Sequence, residues 1–179
     1  MAGRGGVLLA LLVTAAGACT PAPAPVPAPL PDLAKLSPSV QTQVREAHTR
    51  LMALVNARAG AAERSAAYGE VGILLMAAQF PDAPEPYCLN AHALDEADFR
   101  WPYYLAQFYR QRGEPARAIA EFVKASQRNP QDVASQVWLG ELHLQLGQAA
   151  DAASAFERAL GLQPTSVSAS KRSGSRPFS

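Results

Sequence analysis

The sequence predicts an all-α protein in which repeated helical units follow an N-terminal capping helix. Three observations support this prediction. The chain of 179 residues is 49% hydrophobic but only 7% aromatic, and much of the hydrophobic share is alanine, which favours helices over strands. A pattern of glycine, alanine, phenylalanine and proline recurs at a fixed step along the chain. An apolar stripe at helical spacing precedes these copies.

The repeated pattern links GEPARAIAEFVKASQRNP (113–130) with GQAADAASAFERALGLQP (147–164). Each copy predicts two antiparallel helices. A glycine ends the first helix, a small alanine lies where the helices cross, and a proline follows the second helix. The equivalent positions, separated by the same step in every pair, are Gly113 and Gly147, Ala118 and Ala152, Phe122 and Phe156, Ala125 and Ala159, and Pro130 and Pro164.

The spaced positions resemble the tetratricopeptide repeat, a helix-turn-helix unit with a period of about 34 residues, which matches the step between these copies. In the last copy the match rests on Leu139, Gly140, His143, Ala152, Phe156 and Pro164, and in the copy before it on Leu105, Ala106, Tyr109, Ala118, Phe122 and Pro130. The resemblance implies tetratricopeptide units at 99–132 and 133–166, with their paired helices stacked as a right-handed α-α superhelix.

A weaker third copy precedes these two and predicts a degenerate repeat at 65–98. It keeps the first-helix pattern of Tyr68, Val71, Gly72 and Leu75, and Ala91 lies one period before Ala125. It departs from the pattern at three positions, with Cys88 for phenylalanine, Pro84 for alanine and Glu96 for proline. We expect Pro81, Pro84 and Pro86 to shorten or distort its second helix, and Cys88 to be a buried, inert thiol.

The capping helix is predicted over 37–64. Apolar residues recur at steps of three and four, and Ser37 with Pro38 is typical of a helix start. Repeat arrays need such end caps. A dimerising coiled coil is the alternative, although the stripe lasts little more than two heptads. The stripe consists of Val40, Val44, Ala47, Leu51 and Leu54.

The N-terminus is interpreted as a signal peptide at 1–18. Arg4 precedes an apolar run from Val7 to Ala16, which is too short to span a bilayer as a helix. Gly17 and Ala18 before Cys19 resemble a bacterial lipobox, which implies lipidation of Cys19. Conventional cleavage after Ala18 is the alternative.

A proline-rich segment at 19–36 follows, with proline at every second position from 21 to 31. This spacing excludes a helix and favours extended polyproline II, so we expect a tether that spaces the repeats from a membrane. The expected location is the bacterial cell envelope, exported, lipid-anchored and facing the periplasm.

The last segment, 167–179, is polar and has no apolar period, which predicts a disordered tail. The inner face of the helix at 149–162 then lacks its usual neighbour. Two explanations stay open: this edge binds a partner, or the chain is a truncated remnant of a longer repeat protein.

Residue patterns for catalysis are missing from the sequence. It contains no HExxH, CxxC or GxSxG motif and no glycine-rich phosphate loop after the signal. Its three histidines fall on different predicted helices, and His143 is expected to pack inside its unit. We therefore expect no enzyme, no cofactor, no metal and no small-molecule substrate. The charge is balanced, at +1, which disfavours nucleic-acid binding.

The resemblance implies a concave groove that is lined by the first helix of each unit and binds a protein or peptide. Tyr103 and Arg110 are residue types that dominate binding interfaces. We expect a non-enzymatic scaffold for envelope complex assembly. The alternative is an accessory subunit docked to an envelope enzyme or cytochrome. The candidate groove residues are Arg100, Tyr103, Gln107, Arg110, Gln111, Glu141 and Gln145, with Val137 and Leu144 beside them.

Overall fold

A computed structural model describes residues 25–162 of the chain, and in that range it contains helices and no strand. The all-α prediction is confirmed. The signal peptide, Cys19 and the tail at 167–179 lie outside the described residues. The seven helices of this range are α1 (Pro38–Asn56), α2 (Ala61–Ala77), α3 (Pro84–Leu94), α4 (Arg100–Gln111), α5 (Pro115–Arg128), α6 (Val133–Gln145) and α7 (Ala149–Leu162).

Three helical hairpins form the body of the described structure. Helix α2 packs on α3, α4 on α5 and α6 on α7, and successive hairpins meet where α3 contacts α4 and α5 contacts α6. The core is continuous along the stack because each hairpin shares buried residues with the next. Helix α1 contacts α2 in the way that the second helix of a preceding unit would.

Four of these helices end in the same turn, which reverses the chain through one residue with positive φ. At Gly113 the φ angle is 71°, its N–H donates to Arg110, and the following N–H donates to Tyr109. This is the Schellman motif. Gly147 repeats the turn one period later, as the sequence predicts, and Gln79 repeats it one period earlier without a glycine. Arg58 ends α1 in the same way.

In the first and third hairpins, a glycine on the first helix faces a larger residue on the second. A Cβ added to Gly140 would lie 2.5 Å from Cε1 of Phe156, and one added to Gly72 would lie 2.8 Å from Sγ of Cys88. Gly72 and Gly140 are two periods apart, as are Cys88 and Phe156. The degenerate copy therefore keeps the packing rule with a smaller pair of residues, and its second helix, α3, is shorter than α5 or α7.

Helix α1 uses its apolar stripe inside the chain. Val44, Ala47 and Leu51 are buried in one cluster with residues of α2, which leaves that stripe no role in a coiled-coil dimer. Ser37 precedes α1 and Pro38 opens it as predicted, but the Ser37 hydroxyl makes no capping hydrogen bond. The helix ends at Asn56, and α2 already begins at Ala61.

The proline-rich segment differs from the free tether that its sequence predicts. It is extended and not helical, but residues 25–36 lie against the first hairpin and α1. Leu33 is 4% exposed, and Ala28, Leu30 and Leu36 pack beside it on the core. Asn90 on α3 hydrogen-bonds to the main chain at Val26. We call residues 25–36 the strap.

The opposite end of the stack is more exposed. Ala152, Ala155 and Ala159 of α7 are buried against α6, whereas Phe156 is only half-buried and Leu160 is 69% exposed. Among residues 25–162, no helix covers the far side of α7. None of the helices in this range is long and apolar enough to cross a membrane.

Candidate protein-binding groove

A cavity of about 300 Å³ lies where the first helices of two successive hairpins meet. One wall comes from the last turn of α4 and the other from α6. Its lining combines one cation, one carboxylate, an amide, an aromatic ring and an aliphatic side chain. These residues are Arg110, Trp138, Glu141, Leu142 and Gln145.

Arg110 of α4 holds this groove together by stacking on α6. Its guanidinium carbon lies 4.1 Å from the centre of the Trp138 ring, well within the range of a cation–π interaction. Its Nε donates to Gln107 Oε1 at 3.0 Å, and Gln107 Nε2 donates to the Tyr103 hydroxyl at 3.2 Å. The side chains of three successive turns of α4 therefore form one connected row.

The charge of Arg110 is not neutralised within the described part of the chain. No carboxylate lies within ion-pair distance of its guanidinium in residues 25–162, whereas Arg100, Arg112 and Arg117 all pair with Asp or Glu. Gln107 occupies only one of the five N–H donors of the guanidinium. The remaining donors are available to carbonyl or carboxylate oxygens of a peptide.

The structure brings together five of the seven residues predicted for the groove. Gln107, Arg110, Glu141 and Gln145 lie at or beside the cavity, and Tyr103 reaches the row through its hydroxyl. The ring of Tyr103 belongs to the core, because it packs edge-on against Phe122 with ring centres 5.6 Å apart. Truncation of Tyr103 would therefore disturb the core as well as the groove.

Two predicted groove residues lie elsewhere. Arg100 turns back to the start of α4, where it pairs with Asp98 and contributes no group to the cavity. Gln111 lines a different cavity, of about 610 Å³, at the loop between α2 and α3. In that cavity the nearest cation, Arg112, is already paired with Asp82 and Glu114.

Trp138 is the groove residue that the sequence prediction missed. It lies one residue after Val137, which was included as solvent-facing, and one period after Tyr104. Both rings are only partly buried beside the core. The sequence alone gives no sign that Trp138 lies near Arg110. The contact becomes visible only when α4 and α6 are placed in the fold.

The described residues include one cysteine, Cys88, which is buried. Burial, with a smaller contribution from Glu85, raises the pKa of the Cys88 thiol to about 12, so the thiol stays protonated and inert. No group of three potential metal ligands occurs within 25–162. His143 is half-buried and not a core residue, and its Nδ1 hydrogen-bonds to Gln148 at 2.7 Å.

Comparison with a family model identifies the repeats. The tetratricopeptide-repeat model matches residues 91–167, which covers the two hairpins that form this groove. Residues 91–167 contain tetratricopeptide repeats. The match begins within α3, so it leaves out most of the degenerate copy, which is supported by its sequence pattern and by the packing of α2 on α3.

Solved structures of other repeat proteins share the fold. A crystal structure of MamA has a TM-score of 0.56 at 21% identity, over 58% of this chain and 61% of MamA, so the chain spans less than two thirds of that structure. YrrB, a tetratricopeptide protein with an unusual peptide-binding site, has a TM-score of 0.57 at 17% identity, over 75% and 68%.

PilF of Pseudomonas aeruginosa has a TM-score of 0.56 at 19% identity, over 76% of this chain and 61% of PilF. At these identities the similarity establishes the fold and nothing finer. No curated protein matches the chain by sequence.

Proposed function

We propose that this protein is a non-enzymatic scaffold that binds a protein or peptide segment in the groove between α4 and α6. The observation that carries the proposal is Arg110, which is stacked on Trp138 and has no carboxylate partner in the described chain. A stacked arginine beside an aromatic ring is a typical interface hot spot. The tetratricopeptide fold supports a protein partner, and YrrB shows that this fold can carry a peptide site.

The groove residues favour an extended peptide with a hydrogen-bonding main chain. Gln107, Gln145 and the free donors of Arg110 offer contacts to carbonyl oxygens, and Trp138 with Leu142 offers apolar contact. Glu141 lies on the α6 wall, and its carboxylate would accept hydrogen bonds from main-chain N–H groups of the peptide. Lysine and asparagine, which clamp a terminal carboxylate in some tetratricopeptide proteins, are not present in the groove lining.

The proposed location is the bacterial cell envelope, with the protein exported and lipid-anchored through Cys19. The lipobox-like sequence before Cys19 supports this location. Labelling with a palmitate analogue tests it, because the label should be incorporated into the wild type and lost in Cys19→Ala. Equal labelling of both forms would contradict the anchor.

Crosslinking and affinity capture from the native cell envelope test the groove. The double variant Arg110→Ala/Trp138→Ala is expected to reduce partner capture at least about tenfold, the effect of losing one strong hot spot. The matched control is Arg100→Ala/Gln111→Ala, which removes two exposed side chains outside the groove. Circular dichroism checks that both variants keep their helicity. Equal capture by the two variants would remove the groove from the proposal.

A second candidate function, an accessory subunit docked permanently to an envelope enzyme or cytochrome, is favoured by the far side of α7. Leu160 there is 69% exposed and Phe156 is half-buried. A stoichiometric enzyme in the captured material, retained by the groove variant and lost in Leu160→Asp, would support this candidate over the first.

A further inference from the structure

The strap is held near its first described residue by the buried side-chain amide of Asn90. The Val26 N–H donates to Asn90 Oδ1 at 2.7 Å, and Asn90 Nδ2 donates to the Val26 carbonyl at 2.8 Å. Asn90 is only 2% exposed. A buried asparagine whose acceptor and donor both pair with one residue's main chain forms a specific contact, and the loss of either bond leaves a buried polar group unsatisfied.

We call the two hydrogen bonds between Asn90 and Val26 the clamp. They involve the main chain of Val26 and not its side chain. The Val26 side chain is 43% exposed, so it contributes little to the contact. Proline occupies every second position from 21 to 31, so only the residues between the prolines can offer an N–H to Asn90. The register must come from elsewhere, and the buried Leu33 provides it.

The other end of the strap is fixed by Leu33 and a turn into α1. Leu33 is 4% exposed, the Leu36 N–H donates to the Leu33 carbonyl at 2.9 Å, and Gln41 Nε2 donates to the Leu36 carbonyl at 2.9 Å. The strap therefore has two fixed points, Val26 and Leu33, joined by extended backbone. The segment between these two points is therefore not a flexible spacer.

From these contacts we infer that Asn90 sets the distance between the membrane and the repeat stack. The inference rests on the proposed lipid anchor at Cys19. With Val26 clamped, only residues 20–25 separate the anchor from the stack, a length of about 19 Å as polyproline II. With the clamp released up to Leu33, residues 20–32 separate them, and the maximal length becomes about 40 Å.

The clamp would therefore keep the first hairpin, on which Asn90 lies, within about 19 Å of the anchored residue. A free proline-rich tether would allow every orientation of the stack at a distance of several nanometres. The clamp shortens the free linker, so it keeps the stack closer to the bilayer. Its effect is on position, so it does not require Asn90 to contact any partner.

The experiment measures energy transfer from one dye on the stack to an acceptor lipid in the vesicle. The full-length lipidated protein is reconstituted into phosphatidylethanolamine–phosphatidylglycerol vesicles. Ala97→Cys supplies an exposed thiol in the loop between α3 and α4, while Cys88 is buried and Cys19 carries the lipid.

Val26→Pro is the main variant, because it removes the donated N–H without changing the stack. Val26→Ala is its matched control, because it keeps both main-chain groups. We expect transfer to fall in Val26→Pro and to stay at the wild-type value in Val26→Ala. Asn90→Ala should reproduce the fall from the other side of the contact, with helicity checked by circular dichroism.

Each outcome decides the inference. Unchanged transfer in both Val26→Pro and Asn90→Ala would overturn it, because the spacing would then not depend on the clamp. An equal fall in Val26→Ala would also overturn it, because the side chain would be responsible. A wild-type protein that fails to sediment with vesicles would reject the lipid anchor itself, and with it this inference, and that result is visible before any variant is measured.

Discussion

Phe122 and Phe156 occupy the same position in two successive repeats, yet their environments differ. Phe122 of α5 is fully buried, whereas Phe156 of α7 is half-buried. Phe156 lies against Gly140 of its own hairpin, and Phe122 shares a buried cluster with Ala106, the residue equivalent to Gly140. The difference arises from the next hairpin: α6 packs on α5, and no described helix packs on the far side of α7.

The comparison separates two contributions to stability in a repeat stack. The pairing of a small residue with a phenylalanine belongs to one hairpin and recurs with the sequence period. The burial of the other side of that phenylalanine belongs to the interface between hairpins and depends on the neighbour. A sequence motif can therefore be equally good in two copies and still contribute unequally to folding.

The largest expected effect follows from this difference. Phe122→Ala should lower the free energy of unfolding by about 3–5 kcal/mol, as for other fully buried phenylalanines. Phe156→Ala should cost less, since the Phe156 side chain is only partly buried. Urea unfolding of both variants, followed by circular dichroism, gives the two values. Equal losses would show that the far side of α7 is covered in solution.

A smaller effect is expected at two glycines that lie under aromatic rings. A Cβ added to Gly69 would lie 2.0 Å from Cζ3 of Trp101, a ring that is 2% exposed and has no room to move. Gly69→Ala should therefore cost about 1–3 kcal/mol by overpacking. Gly140→Ala should cost less, because the Phe156 ring can shift outward.

Thermal unfolding midpoints of the two glycine variants measure this difference. Gly161→Ala is the control, because its added Cβ meets no atom within 4 Å and a helical alanine is favoured over glycine. This control should raise the midpoint. A larger loss for Gly140→Ala than for Gly69→Ala would contradict the proposed freedom of Phe156.

The shared helix-ending turn allows a test about 1 kcal/mol in size. Gln79 has a φ of 61°, a conformation that costs a residue with a Cβ about 1–2 kcal/mol relative to glycine. Gln79→Gly should stabilise the protein by about 1 kcal/mol, and Gly113→Ala should destabilise it by about as much. Chemical unfolding measures the change in the free energy of unfolding for both variants, including its sign. A destabilised Gln79→Gly variant would indicate that the glutamine side chain contributes packing that the turn alone does not explain.

His92 and Leu160 are also equivalent positions, two periods apart. Only His92 can titrate, so stability should depend on pH at the first position and not at the second. Burial, followed by the nearby Arg128, lowers the pKa of His92, while Glu121 and Glu96 act in the opposite direction and Lys124 adds to the lowering. Below pH about 6.5 the unfolded chain takes up a proton that the folded protein does not, so stability falls as the pH decreases.

Unfolding midpoints measured from pH 7.5 to pH 5 should decrease more steeply for the wild type than for His92→Gln. Leu160→Gln is the control at the equivalent exposed position, and its pH dependence should match that of the wild type. Parallel curves for all three proteins would show that His92 does not contribute to the acid sensitivity.

The smallest effect is expected at the surface of α7. Leu160 is 69% exposed, so Leu160→Asn should change the free energy of unfolding by less than about 0.5 kcal/mol. A loss of about 1 kcal/mol or more would mean that this side of α7 is buried in solution, by another copy of the chain or by a partner. Sedimentation velocity of the wild type distinguishes these two explanations.

The repeat positions allowed the fold to be predicted because their roles are local. Gly113 and Gly147 adopt the left-handed turn that glycine favours, and Phe122 and Phe156 fill the hairpins at the predicted step. Gln79 shows the limit of this reasoning. It takes the same turn without the residue type that would announce it, because the stacked hairpins hold its backbone in place.

The strap and the groove could not be predicted from local patterns. The bonds between Asn90 and Val26 span 64 residues, so the proline spacing alone indicated an extended chain and not a docked one. Trp138 joins the groove only because α6 lies beside α4. Arg100 was placed correctly on α4, but its pairing with the nearby Asp98 turns it away from the groove.

The strap makes the two ends of the stack unequal as sites for adding further repeat units. At the α1 end, extended chain occupies apolar surface that a further helix would need, so an engineered unit placed there must first displace Leu33 and break the Asn90 contact. At the α7 end, a unit fused after Leu162 would meet Phe156 and Leu160 already presented to it. We therefore expect lengthening of this protein to succeed from one side only.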